Sequence, residues 1–318
     1  LYVVEDPAME KAASVARAVS LAKNNQAQLT VFHVAEKPRL GPFADSVAID
    51  KLLERLRDQA TGKLRALLKE AGGGSNVVID IRFGIPFIEI VRHVLRKEHD
   101  LVIKAVGKGG VHSFLFGGTD QHLLRKCPCP VWIMVGDTSA NYRQVVAAVD
   151  FDPWDEDDAE TQAEDSLNRQ ILGLAASLAA SDFAQLHLVH AWQSITDSVI
   201  RVFSSDMPDE EAAASHARER REQQSRLELL QTTIKEQLGE ETFRYLSPRF
   251  LLREGSPRDV IPGLATELDA DLVVMGSVGR TGIPGLLIGN TAEVILNNLE
   301  CSVLAVKPKG FITPVTLD

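Results

Sequence analysis

Residues 84–104 read GIPFIEIVRHVLRKEHDLVIK, and residues 255–275 read GSPRDVIPGLATELDADLVVM. Each stretch begins with a Gly-x-Pro turn, continues with apolar residues at the spacing of an amphipathic helix, and ends in a short apolar run typical of a buried strand. The two turn prolines, Pro86 and Pro257, lie 171 positions apart, as do Asp100 and Asp271. This shared register indicates a tandem duplication.

The register continues beyond these stretches, because Thr119 and Thr291, and also Cys129 and Cys301, lie 172 positions apart. In each half, short apolar runs alternate with helical patterns, which predicts βαβ units and a parallel sheet covered on both faces. The sequence therefore predicts an α/β protein of two tandem five-stranded, Rossmann-like sandwiches. We expect domain 1 to span residues 1–138 and domain 2 to span residues 139–318.

Composition and charge argue against a duplex nucleic-acid binder and a membrane-spanning protein. The chain has 318 residues, of which 45% are hydrophobic, and its formal net charge is −10. An acidic balance argues against a duplex nucleic-acid binder, which needs a basic face. No apolar stretch approaches the roughly 20 residues of a membrane span, and no signal peptide is visible. Together with only three cysteines, this favours the cytoplasm.

The loop after the fourth strand of the second half is the candidate ligand site. Ligands of open parallel sheets bind beyond the carboxyl ends of the strands. Here Gly276 and Gly279 follow the strand, and Gly289 precedes a predicted helix. Glycines let backbone N–H groups approach an anion, and a helix N-terminus adds its positive dipole end. A tight strand-to-helix connection without a ligand is the alternative.

The segment Gly276-x2-Gly279-x9-Gly289, followed by a polar pair and a helix, resembles the ATP-binding motif of universal stress proteins. That motif has a Ser or Thr directly after its third glycine, whereas this chain has Asn290 there and Thr291 one position later. The resemblance covers both halves and extends to the tandem members of the family. It implies an adenine-nucleotide α-hydrolase-like fold.

The resemblance also implies a role for individual residues of the second half. Asp150 matches the acid that contacts adenine, and Ala191 lies where a backbone contact to the base is expected. Gly255 and Pro257 would lie against the ribose. The residues implied at the phosphates are Gly276, Gly279, Arg280, Gly289, Asn290 and Thr291.

The first half departs further from the motif. Ala105 stands where the second half has Gly276, and its Cβ is expected to obstruct a phosphate. We therefore expect a degenerate nucleotide loop that serves packing or binds an apolar ligand. His33 and His190 occupy equivalent strand ends, where a hydrogen-bonded structural role is expected.

The resemblance implies a cytoplasmic stress-response protein that binds ATP or AMP through its second domain, with Mg²⁺ accompanying the phosphates. It would act as a sensor or a chaperone-like module. One alternative is a slow ATPase or phosphotransferase that uses Asp150 and Mg²⁺. Another is a carrier of an apolar or lipid-like ligand, held by the long loops 37–47 and 193–208. No nucleophile–base pair points to a dedicated enzyme.

The last strand of each half predicts how the halves assemble. Val131–Val135 and Val303–Val306 are short, apolar and expected at sheet edges, which a soluble protein must cover. Pairing of these strands would form an intramolecular pseudo-dimer. A dimer of chains is left open.

Overall fold

The computed structural model describes residues 1–38, 46–74, 76–106, 118–135, 141–150, 159–194, 209–277 and 289–317, with backbone alone at 46, 159–165 and 209. The chain divides into two compact units. Of the described residues, the first unit comprises those within 1–135 and 311–317, and the second comprises those within 141–277 and 289–310.

The first unit is a five-stranded parallel sheet with helices in the crossovers. Its strands lie in the order β3-β2-β1-β4-β5. The elements are β1 Tyr2–Val4, α1 Ala12–Asn24, β2 Thr30–Ala35, α2 Ser46–Glu70, β3 Val78–Phe83, α3 Pro86–Lys97, β4 Val102–Val106, α4 Thr119–Lys126 and β5 Val131–Val135.

The second unit repeats this plan, with strands in the parallel order β10-β9-β6-β7-β8. Its elements are β6 Gln144–Ala148, α5 Ala159–Asp182, β7 Gln185–Trp192, α6 Asp209–Leu238, α7 Glu240–Leu246, β8 Arg249–Glu254, α8 Pro257–Glu267, β9 Leu272–Gly276, α9 Asn290–Asn298 and β10 Ser302–Val306. The predicted fold class is confirmed: each half is a parallel α/β sheet. Pairing of β5 with β10 concerns how the halves assemble and stays a prediction.

The central strands are buried along almost their whole length, which explains their continuous apolar sequences. All three residues of β1 are buried, and so are seven of the eight residues of β7. The Gly-x-Pro turns connect β3 to α3 and β8 to α8, and each proline lies in the first turn of its helix. A missing N–H costs nothing there.

The C-terminal segment 311–317 belongs to the first unit, although the sequence analysis assigned it to domain 2. Arg92 Nε donates to the carbonyl of Thr316 at 2.9 Å, and Arg96 Nη2 donates to the carbonyl of Leu317 at 2.9 Å. Both arginines lie on α3, so the segment is held against the first unit after the last strand of the second. No spacing in the sequence signals these contacts.

None of the helices within the described residues is both long enough and apolar enough to cross a membrane.

A buried histidine, His93, and a half-buried one, His99, are expected to make the stability of the first unit sensitive to pH. The ring of His93 stacks on Phe32 with centroids 4.4 Å apart, and the ring of His99 lies 5.0 Å from that of His93. The Nε2 atoms of both rings are buried and lack a hydrogen-bond partner among the described residues. Burial lowers the pKa of His99 to about 4 and also lowers the pKa of His93. Both rings are therefore neutral near pH 7.

We expect the free energy of unfolding to fall as the pH drops from 6.5 towards 4. In that window the unfolded chain binds more protons than the folded chain, because an unfolded histidine titrates near pH 6.5 and folded His99 near 4. Urea unfolding of the wild type and of His99→Leu at pH 7 and pH 5 checks this. The wild type should lose more stability than the variant, and equal losses would rule out a contribution from His99.

Candidate functional site

The topological switch point of the second unit lies between β6 and β9. Ligands of such sheets bind at the switch point, where neighbouring strands continue to opposite sides of the sheet. Here the chain leaves β6 towards β7 on one side, while β9 flanks β6 on the other. Asp150 follows β6, and Gly276 is the last residue of β9. The two predicted site residues therefore lie at the carboxyl ends of neighbouring strands.

The backbone of Asp150 is fixed by a buried asparagine of α5. Asp150 N donates to Asn168 Oδ1 at 3.3 Å, and Asn168 Nδ2 donates to the Asp150 carbonyl at 2.6 Å. The Asp150 side chain is 64% exposed, with Oδ1 3.9 Å from His190 Nδ1. An exposed carboxylate on a fixed backbone is suited to accept a hydrogen bond from a ligand.

The histidines at the two equivalent strand ends are structural, as predicted. His190 Nδ1 lies 3.3 Å from the carbonyl oxygen of Val149, and His33 Nδ1 lies 2.9 Å from that of Val4. A carbonyl only accepts, so each Nδ1 carries a proton and donates it. Both rings are buried and tie the second strand of the sheet to the end of the first.

The ends of the glycine-containing segment are held together. Gly289 N donates to the carbonyl of Ser277 at 3.1 Å, and Ser277 N donates to the carbonyl of Val306 at 2.9 Å. Residues 277 and 289 therefore stand side by side at the carboxyl ends of β9 and β10. Gly279 and Arg280, two of the predicted phosphate residues, lie outside the described residues.

Gly276 has a packing reason to be glycine. A Cβ at this position would lie 3.0 Å from Leu167 Cδ2 of α5, which is closer than most Cβ contacts. Because Ala105 occupies the equivalent register position in β4, its Cβ is expected to point towards the helix layer. The steric argument at Ala105 is therefore weaker than the sequence alone suggests.

The N-terminus of α9 lies next to the hydrogen bond between Gly289 N and the Ser277 carbonyl, which we call the Ser277–Gly289 clamp. Gly289 is its N-cap residue, and no side-chain cap bond is present among the described residues. Asn290 and Thr291 begin the helix, and the first backbone N–H groups of a helix have no intrahelical partner. Such N–H groups, at the positive end of the helix dipole, bind anions.

The base and ribose residues of the prediction lie on the next strands. Ala191 is buried near the end of β7, and its register partner on β8 is Arg253. Gly255 has φ +136°, and a Cβ there would lie 2.9 Å from Val260 Cγ2, so this turn requires glycine. Gly255 N donates to the carbonyl of Trp192 at 2.8 Å, which holds the turn and Pro257 at this edge of the sheet.

Sequence reasoning missed a lysine beside the clamp. Lys307 follows β10, is only 3% exposed, and places Nζ 3.2 Å from Ser277 Oγ. Its amine therefore lies beside the Ser277–Gly289 contact at the carboxyl end of the sheet. Its signal in the sequence is a single lysine directly after an apolar strand, which many surface lysines share.

At the equivalent switch point of the first unit, between β1 and β4, two carboxylates pair with a buried lysine. Lys104 Nζ lies 2.6 Å from Glu5 Oε2 and 2.8 Å from Asp120 Oδ1. Burial disfavours the ammonium, but the carboxylates of Asp120 and Glu5 outweigh burial and raise the pKa of Lys104. Lys104 therefore stays charged although its side chain is almost fully buried.

Within the described residues, no group of three or more His, Cys, Asp or Glu side chains is placed to hold a metal ion. The side chains of Cys127 and Cys129 are buried, with their sulfur atoms 3.6 Å apart.

The sequence profile of the Universal stress protein family matches residues 1–134 and 141–307. The chain belongs to the universal stress protein family. The two matches fall on the two halves of the repeat, so the resemblance found in the sequence is confirmed.

Relatives match over most of the chain. Universal stress protein E of Photorhabdus laumondii is 28% identical over 330 aligned positions, which cover 99% of this chain and 96% of that protein. Universal stress protein E of Escherichia coli K12 is 31% identical over 240 positions, which cover 73% of this chain and 68% of that protein.

A solved structure shares the fold along the whole chain. The crystal structure of a protein of unknown function from Pseudomonas aeruginosa PAO1 has a TM-score of 0.63 and 25% sequence identity. The match covers 98% of this chain and 93% of that one.

Proposed function

We propose that this universal stress protein binds an adenine nucleotide, ATP or AMP, in the crevice of its second unit. The observation that carries the proposal is the Ser277–Gly289 clamp beside the open N-terminus of α9, with the Asp150 carboxylate at the neighbouring strand end. The N-terminus of α9 supplies N–H donors for phosphates, and the Asp150 carboxylate supplies a hydrogen-bond acceptor for a base.

The roles follow from the chemistry of each group. The first-turn N–H groups of α9 and the Lys307 ammonium bind phosphate oxygens. The Asp150 carboxylate accepts a hydrogen bond from the adenine amino group, which a guanine does not offer at that position. The ribose lies at the turn containing Gly255 and Pro257. Mg²⁺ enters with the phosphates of ATP, since it binds phosphate and carboxylate oxygens.

We further propose that binding serves a cytoplasmic stress response, as a sensor or a chaperone-like module. A bound nucleotide changes the charge presented at the carboxyl ends of β6 and β9, and so reports the nucleotide state on the protein surface. A ligand that binds one state of a protein better than another shifts the population towards that state.

Replacing Asp150 by alanine tests the base end of the site. We expect the dissociation constant for ATP to rise roughly tenfold to a hundredfold, as for the loss of a hydrogen bond to a charged group worth about 1.5–3 kcal/mol. The preference for ATP over GTP should also disappear. Calorimetric titration with both nucleotides measures this, with Asp58→Ala on the exposed face of α2 as the matched control. Unchanged affinity and base preference in Asp150→Ala would contradict the assignment.

Slow ATP hydrolysis is the alternative function that a contact in the structure favours. The exposed Asp150 carboxylate next to His190 could orient a water molecule at this crevice. Release of labelled phosphate by the wild type, abolished in Asp150→Ala, would favour an ATPase over a binding module. The carrier hypothesis depended on the loops 37–47 and 193–208, most of which lies outside the described residues.

A further inference from the structure

The ion cluster of the first unit occupies the same place in the fold as the proposed nucleotide site of the second. Strand β1 pairs Tyr2 with Ile103, and strand β6 pairs Ala147 with Val274. The 171-position repeat carries Ile103 to Val274. Counting along the strands, Glu5 therefore corresponds to Asp150, and Lys104 corresponds to Met275.

The following helix completes the comparison. The buried residues Leu123 and Leu124 of α4 correspond to Ile295 and Leu296 of α9, at the 172-position offset. Asp120 therefore corresponds to Ala292. The two positions that supply a lysine and an aspartate in the first unit supply Met275 and Ala292 in the second, and neither of these carries a charge.

The cluster changes two features that the proposed site of the second unit offers to a nucleotide, the acid after the first strand and the N-terminus of the helix. Glu5, at the position of the acid that would read the base, is bound to the Lys104 ammonium at 2.6 Å. Asp120 places a negative charge in the first turn of α4, where it takes up the helix dipole and repels a phosphate. The lysine joins the end of β1 to the start of α4, the two walls of the crevice.

We propose that the Glu5–Lys104–Asp120 cluster closes the first crevice to nucleotides, and that Met275 and Ala292 are the specificity-determining residues that keep the second crevice receptive. This inference rests on the proposed function, since it explains why one of two equivalent crevices takes the nucleotide. The two units therefore differ in these strand and helix side chains, in addition to the sequences of the loops that follow β4 and β9.

The first test introduces the aspartate alone. Ala292→Asp places a carboxylate in the first turn of α9, near the positive end of the helix dipole. Because Ala292 is buried, circular dichroism and thermal unfolding first establish that the variant folds. Ala292→Asn is the matched control of nearly the same size without the charge. We expect the dissociation constant for ATP to rise at least tenfold in Ala292→Asp relative to Ala292→Asn, with a smaller change for adenosine. Equal ATP affinities would overturn the proposal.

The second test adds the lysine. If only charge repulsion mattered, Met275→Lys on top of Ala292→Asp would restore ATP binding. If the cluster closes the crevice, the lysine pairs with Asp150 and the new aspartate, and binding stays lost. Calorimetry of the double variant, with circular dichroism and thermal unfolding to show that it folds, separates these results, and recovery of binding would overturn the proposal. A wild-type chain that binds no adenine nucleotide would instead refute the proposed function.

Discussion

Replacing Lys104 by methionine is expected to lower the free energy of unfolding by about 3–5 kcal/mol, as for removing one partner from a buried ion pair. The substitution leaves the Asp120 carboxylate largely buried without its countercharge, while Glu5 regains full solvation because its side chain is exposed. Urea unfolding followed by far-UV circular dichroism measures the change. Lys63→Met, on the exposed side of α2, is the matched control and should change stability by less than about 0.5 kcal/mol.

The double variant Lys104→Met/Asp120→Ala separates the loss of the lysine from the burial of the aspartate. It reproduces the uncharged pair Met275 and Ala292 of the second unit. Most of the lost stability should return, because replacing a whole buried pair by apolar residues is often neutral. If Lys104→Met alone unfolds like the wild type, the cluster does not contribute to the stability of the first unit.

Replacing Gly279 by valine is expected to raise the dissociation constant for ATP by several-fold to a hundredfold. The loss of hydrogen bonds from phosphate-facing N–H groups corresponds to about 1–3 kcal/mol. Gly279 lies two residues beyond Ser277, whose carbonyl accepts from Gly289 N and so fixes the end of the segment. A β-branched residue next to this clamp restricts the backbone conformations that bring N–H groups to an anion.

Titration calorimetry with ATP and with adenosine checks this prediction. The adenosine affinity should change little, because adenosine has no phosphate. Gly62→Val is the matched control, since a Cβ at Gly62 on α2 of the first unit meets nothing within 4 Å. A full ATP affinity in Gly279→Val would contradict a phosphate role for this segment.

The fold was predictable from the sequence because its evidence is local and occurs twice. The Gly-x-Pro turns, the helix spacing after Pro86 and Pro257, and the apolar runs before Lys104 and Gly276 each lie within about 20 residues. Periodicity of this kind fixes the type of each element, and the repeat fixes their order. Asp150 and the glycines could be placed at the strand ends for the same reason.

The decisive side-chain contacts were not predictable, because they join residues far apart in the chain. Lys104 meets Glu5 across 99 positions, and Arg92 meets Thr316 across 224. Neither spacing has a pattern that local sequence reasoning can detect. A lysine inside the apolar run of β4 was the one available signal, since a fully buried lysine is rare unless it is paired.

The same contacts allow the two units to be compared. Both units have the same strand order and the same histidine-to-carbonyl bond at the second strand. They differ in the charges at the switch point, where Glu5 of the first unit pairs with the Lys104 ammonium and Asp150 of the second lies 3.9 Å from the His190 ring. Under the proposal above, this difference in side-chain charge helps to decide which unit binds the nucleotide.

The number of nucleotide sites per chain tests the central claim most directly. Calorimetric titration of the wild-type chain with ATP should give one site per chain, and Asp150→Ala should weaken that site. A fit to two equal sites would contradict the assignment to the second unit alone, and the absence of any binding to ATP or AMP would contradict the proposed function.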